Sequence, residues 1–171
     1  MKFAYADPPY LGCGGRYNHP DAAIWNSEEA HVNLIRGLIS EFTDGFAISL
    51  SVPSLSLYLD YLPQARICSW VKPFAIFKPN VGLAYTWEPV LVVEGRKRTR
   101  KEPTCRDHLS ESITLKKGLC GAKPPRFNQW ILGLLNWQPG DELVDLFPGT
   151  YGMSAALELG AQDLGGPKRA A

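Results

Sequence analysis

Asp7-Pro8-Pro9-Tyr10 closes the short apolar opening of the chain, and its residue types suit chemistry better than regular structure. Proline lacks a backbone N–H, fixes φ and restricts the residue before it. A strand ended this way leaves carbonyls without ladder partners, beside an acid and an aromatic ring. Either this is a plain turn, or those acceptors and the ring of Tyr10 serve a ligand. A second such point is Asp145-Leu146-Phe147-Pro148-Gly149-Thr150-Tyr151-Gly152, where an apolar run meets a tight turn and then small residues of helical character. A turn that opens a helix offers free N–H groups to a polar ligand. In open α/β sheets, ligands bind beyond the carboxyl ends of the strands.

Both points need strands to hold them. Residues 2–6 read as a short buried strand, 45–51 as a second and 65–71 as a third. A fourth lies within 84–95, with Pro89 at its start or at a bulge, and 142–147 is another. Helices are expected at 27–42, with Val32, Ile35, Leu38, Ile39 and Phe42 on one face, and at 54–62 behind Pro53. Two more are expected at 125–136 and 152–160. Asn26 and Glu29 stand at capping-box spacing for the first helix. The alternation argues an α/β fold: one mainly parallel sheet with helices on both faces.

At 171 residues, with 45% hydrophobic and 20% charged residues, the chain suits one domain over 1–171. A net charge of +1 gives no global pull toward nucleic acid or membrane, so any such binding must come from local clustering. The dense basic cluster is Arg96-Lys97-Arg98-Thr99-Arg100-Lys101, which opens a polar stretch running to Gly121. Four cysteines without a CxxC pair, no signal-peptide pattern and no bilayer-length apolar run suggest a cytoplasmic protein with reduced thiols. Cys105, His108 and Cys120 lack an evident fourth ligand for structural zinc, so no metal is expected. Most of the tryptophans are expected in the core, His19 at a turn, and residues 161–171 in a disordered tail.

The two motifs together resemble the DNA amino-methyltransferases, which methylate an exocyclic amine of adenine or cytosine with S-adenosylmethionine. The family ends one strand with D-P-P-Y and its neighbour with an F-x-G-x-G turn; Lys123-Pro124 is similar to its K-P element. With the catalytic motif first and the cofactor turn last, the order resembles the permuted β-type arrangement. The stretches SWVKPFAIFKP and AYTWEPVLVVEGR are similar to small methylases of phage and prophage type, some of which serve restriction–modification. The resemblance implies a circularly permuted, Rossmann-like methyltransferase fold. It assigns catalysis to Asp7, Pro8, Pro9 and Tyr10, with the Asp7 carboxylate and the Pro8 carbonyl accepting the amine's hydrogens and Tyr10 stacking on a flipped base. It assigns the cofactor S-adenosylmethionine to Asp7, Lys123, Pro124, Asp145, Phe147, Pro148, Gly149 and Thr150. Between these elements, where β-type enzymes keep target-recognition segments, residues 95–121 become a short DNA-contacting insert, with Arg96, Lys97, Arg98, Arg100 and Lys101 on phosphates.

Aspartate at position 7 favours adenine N6 as the target amine; cytosine N4 is the alternative, and a relative that binds DNA or cofactor without efficient turnover is another. Two departures bear on the last. Tyr151 stands where the family has its second turn glycine, and would crowd the cofactor or force the loop outward. The family's next strand ends in a ribose-binding acid; here only Asp163 follows, with no apolar strand before it. Glu88 is assigned no chemistry.

Overall fold

Side chains alternate faces along a strand, and the buried residues here sort accordingly into two apolar layers. The first strand, β1 (Lys2–Ala6), sends Phe3 and Tyr5 to one layer and Ala4 and Ala6 to the other. The next, β2 (Gly45–Ser49), splits Ala47 from Phe46 and Ile48 in the same manner. The computed structural model describes residues 1–17, 20–73, 82–114, 122–149 and 151–160. Among these the remaining strands are β3 (Arg66–Val71), β4 (Trp87–Glu94), β5 (His108–Ser110) and β6 (Glu142–Asp145). The longer helices are α1 (Glu28–Glu41), α2 (Leu55–Tyr61), α3 (Pro125–Leu135) and α4 (Gly152–Leu159).

Ile35, Leu38, Tyr58 and Leu62, from α1, α2 and the residue closing α2, cover one face of the sheet. Phe127, Ile131, Leu132, Met153 and Ala156, from α3 and α4, cover the other. A side chain as fully buried as Ile35 or Ile131 stabilises the fold by about 1.5–3 kcal/mol. The first helix is capped by Ser27, whose hydroxyl accepts from the Ala30 N–H at 3.3 Å. Asn26, the expected cap, instead accepts from the Gly14 N–H at 2.9 Å.

The sheet order is β5-β3-β4-β2-β1-β6. Pairings β1–β2, β1–β6 and β3–β5 are parallel, while β4 runs antiparallel to both β2 and β3. The sheet is therefore mixed: five strands end at one edge, and at that same edge β4 begins. Pro89 is not at a bulge. It pairs with Ser69, one residue beyond Ser49↔Val90, the last β2–β4 pair. Its carbonyl accepts from Leu50 N–H at 3.3 Å, so its missing N–H faces the side where that ladder has ended. No helix among the described residues is long and apolar enough to cross a membrane.

Candidate active site at the carboxyl edge of the sheet

The β1–β6 register brings the first and last motifs together. Tyr5 is opposite Asp145, and the Leu146 N–H donates to the Tyr5 carbonyl at 3.0 Å. Asp7 and Phe147 therefore each stand two residues past a paired position, at one sheet edge. Among the described residues no backbone N–H donates to the Pro8 carbonyl.

Five polar side chains from four parts of the chain converge on this edge. Lys123, just before α3, lies 3.2 Å from Asp7 Oδ1, 3.2 Å from Glu88 Oε2 and 3.0 Å from the Tyr10 hydroxyl. Tyr10 in turn donates to Glu88 Oε2 at 2.8 Å. Lys72, just past the end of β3, pairs with the other oxygen of Glu88. Aromatic rings frame the ammonium of Lys123, with the centroids of Trp70 and Tyr10 at 5.2 and 5.4 Å. The charges are half-hidden or more; the side chain of Lys123 is only 9% exposed.

Burial raises the Asp7 carboxyl above the ordinary carboxylate range, and Lys123 only partly opposes it. Glu88 goes the other way: burial would raise it too, but the ammonium groups of Lys123 and Lys72 hold it at about 2. Burial disfavours the charge on Lys123, yet Asp7 and Glu88 together raise its pKa and keep it protonated. Two carboxylates in one cluster are thus separated in acidity, the pattern expected where one is an ion-pair anchor and the other is available for proton chemistry.

The second motif forms the neighbouring wall. Asp145 Oδ1 accepts from the Phe147 N–H at 3.2 Å. Burial raises Asp145, and the charge of Asp7 adds to that. The Phe147 ring meets Trp25 edge-on, centroids 5.0 Å apart. Trp25 is fixed from behind by buried His31, whose Nε2 donates to the Trp25 carbonyl at 2.9 Å while Nδ1 accepts from the Tyr58 hydroxyl at 2.5 Å. Gly149 and Tyr151 have φ of +46° and +57°. The turn therefore keeps a glycine-like backbone at a tyrosine, whose side chain points outward and is 68% exposed. Pro124 is the cap residue before α3, and Pro148 accepts from the Tyr151 N–H at 2.7 Å. Thr150, His19, Cys120, Asp163 and the 161–171 tail lie outside the described residues.

The basic run is elsewhere. Glu94, where β4 ends, pairs with Gly45, where β2 begins, so residues 96–101 follow at the opposite edge. The whole of α3 separates the two: Lys123 precedes its first turn, whereas its last turn meets Arg96 and Arg98. Eleven helical residues span about 16 Å. Arg96 binds Asp141 at 2.6 and 2.7 Å and its N–H donates to the Leu135 carbonyl at 3.1 Å. Arg98 donates to the carbonyls of Pro103, at 2.8 Å, and Gly133. These two guanidinium groups are hydrogen-bonded within the chain. Lys97, Arg100 and Lys101 are exposed.

Glu88 and Lys72 were not among the residues expected at the site. Two signals pointed to them: an acid inside an otherwise apolar strand, and Lys72-Pro73, one of the chain's other two Lys-Pro dipeptides besides Lys123-Pro124.

No protein-family model matches the chain, and no curated protein matches it. Solved structures do. The crystal structure of the M1.HpyAVI–SAM complex superposes with a TM-score of 0.62 at 17% identity, over 93% of this chain and 78% of that one. A structure of M1.HpyAVI gives 0.55 at 16% identity, over 93% and 75%. At such identities the likeness is one of architecture: the chain has the α/β methyltransferase fold of M1.HpyAVI.

Proposed function

We propose that the chain transfers a methyl group from S-adenosylmethionine to the N6 amine of adenine in DNA. The observation that carries this reading is the convergence of Asp7, Tyr10 and the Pro8 carbonyl, which has no backbone donor among the described residues, beside the Phe147 turn. The fold shared with M1.HpyAVI, a DNA methyltransferase, supports it.

The residues at the Phe147 turn suit that cofactor. Burial raises both Asp7 and Asp145, and the charge of Asp7 adds to the rise at Asp145; a cationic sulfonium nearby would favour their ionised forms. The half-buried Trp25–Phe147 pair offers aromatic surface to an adenine ring, with Asp145, Pro148 and Gly149 alongside it in the same turn. When bound, S-adenosylmethionine supplies an electrophilic methyl group.

The chain's own residues prepare the amine. Its lone pair is delocalised into the ring, so it attacks poorly until its two hydrogens are drawn out of plane. The Asp7 carboxylate and the Pro8 carbonyl accept those hydrogens, and the rigid prolines hold the acceptors still. With both hydrogens held by these acceptors, the nitrogen lone pair would be free to take the methyl group, and the methylated amine would carry the positive charge. That amine then gives a proton to Asp7, whose raised pKa suits it as acceptor. Tyr10 stacks on the extruded base, worth about 1–3 kcal/mol. DNA is met at this edge; the Arg96–Lys101 run, at the other, has no part in holding the reacting nucleotide.

Incubation with methyl-labelled S-adenosylmethionine and mixed-sequence DNA, followed by digestion to nucleosides, tests the reading. Label in N6-methyladenosine is expected; label in N4-methylcytosine would replace adenine by cytosine, and unlabelled DNA would overturn transfer. The left-handed Tyr151 favours a second reading, a relative that binds the cofactor weakly. Calorimetry with S-adenosylmethionine separates them: weak or absent binding up to millimolar concentration favours the second reading.

A further inference from the structure

Glu88 belongs to neither motif, yet it is the hub of the buried network. It accepts from Tyr10 at 2.8 Å, shares Lys123 with Asp7 at 3.2 Å from each carboxylate, and receives Lys72 on its other oxygen. It arrives from β4, the one strand of the sheet whose amino end reaches this edge. Without its charge, Lys123 faces Asp7 alone. The ammonium then draws more fully onto the carboxylate that must accept the amine's hydrogen, and Tyr10 loses the partner that fixes its ring. Lys72 completes the arrangement: with two carboxylates and two ammonium groups, the cluster is neutral.

We propose that Glu88 is the positioning residue of the transfer site, sharing Lys123 with Asp7 and orienting Tyr10, with Lys72 as its counter-ion. This rests on the methyl-transfer reading above. Glu88 touches neither amine nor cofactor on this view; it acts through Lys123 and Tyr10.

The test is a pH profile of Glu88→Gln, which keeps an acceptor for Tyr10 but removes the charge. Asp7 is faced by Lys123, Glu88, Tyr10, Tyr5, Asp145 and Tyr58; removing the charge of Glu88 takes away a like charge and leaves Lys123 unshared. The Asp7 carboxyl must then titrate at lower pH. In single-turnover transfer with S-adenosylmethionine and DNA, the plateau rate is expected to fall about 10²-fold, the acid limb to move to lower pH, and the cofactor Kd to stay unchanged. The carbon-13 signal of the Asp7 carboxyl gives the same midpoint without turnover. An unmoved midpoint and limb overturn the inference even if wild type transfers methyl groups. A lowered midpoint in a protein that transfers none refutes the methyl-transfer reading and leaves the Glu88–Asp7 coupling standing. Should Glu88→Gln fail to fold, the charge-balanced Glu88→Gln/Lys72→Gln protein carries the same measurements.

Discussion

Two groups of charge occupy opposite edges of one sheet. At the carboxyl edge, Asp7, Tyr10, Lys72, Glu88 and Lys123 are scattered over more than a hundred positions and meet within hydrogen-bonding distance. At the amino edge, Arg96 to Lys101 are contiguous and disperse: Arg96 goes to Asp141, Arg98 to two carbonyls, and the rest to solvent. Contiguity concentrates charge along the chain, but convergence of strand ends concentrates it in space. Only the second removes water and makes electrostatics strong.

The sharpest way to break this comparison is at Asp7. Asp7→Ala should lower methyl transfer by about 10³-fold, the scale of losing a preorganised electrostatic group, with an unchanged far-ultraviolet circular dichroism spectrum. Next in size is stability. Lys123→Met leaves Asp7 and Glu88 facing each other without the shared cation and should cost about 3–5 kcal/mol in urea unfolding. Lys101→Met, on the exposed run, should leave the urea midpoint where it was.

Acid separates the two carboxylates further. Glu88 is held at about 2, below its ordinary 4.5, so its ion pairs stabilise the fold fully above about pH 4.5 and are lost as pH falls toward 2. Asp141, under Arg96, is likewise held at about 2 and loses its contribution below its ordinary 3.8. Asp7 has the opposite sign: its raised value makes the ionised form a cost that acid relieves. Stability of Glu88→Gln should therefore fall less steeply than wild type between pH 4.5 and 2, with Asp141 and the other lowered carboxylates, Glu102 and Asp107, giving the residual slope. An unchanged slope would mean that Glu88 is not ionised in the folded state.

The smallest effects lie at the turn and at the exposed lysines. Tyr151→Gly relieves a left-handed residue worth about 1–2 kcal/mol, offset by about 0.5–1 kcal/mol from glycine's freedom in the unfolded chain. Its thermal midpoint should barely move while S-adenosylmethionine binds more tightly; weaker binding would give Tyr151 a positive role. Neutralising Lys97, Arg100 and Lys101 together should change the slope of log affinity for DNA against log salt by less than one unit.

What could be read from the sequence follows from how local each cause is. The apolar periods of β1, α1, α3 and β6 gave those elements within a residue or two, because burial of one face dictates the period. The adjacency of β1 and β6 was implied by the resemblance, in which the two motifs end neighbouring strands. The cap of α1 was displaced by one residue because Asn26, at the right spacing from Glu29, serves the distant Gly14 N–H instead. His108–Ser110 has too few residues to carry a period, and forms β5 only because β3 offers it an edge. Glu88 and Lys72 were invisible as a pair because their meeting depends on β4 running backwards, and the inward turn of Arg96 depends on where Asp141 comes to lie.

The most direct measurement is single-turnover transfer of labelled methyl from S-adenosylmethionine to DNA by three proteins side by side: wild type, Asp7→Ala, and Lys97→Gln/Arg100→Gln/Lys101→Gln. Reaction at the convergent cluster predicts label with the first and third at equal rates and none with the second. Label with Asp7→Ala at the wild-type rate, or its loss on neutralising the basic run alone, would contradict it.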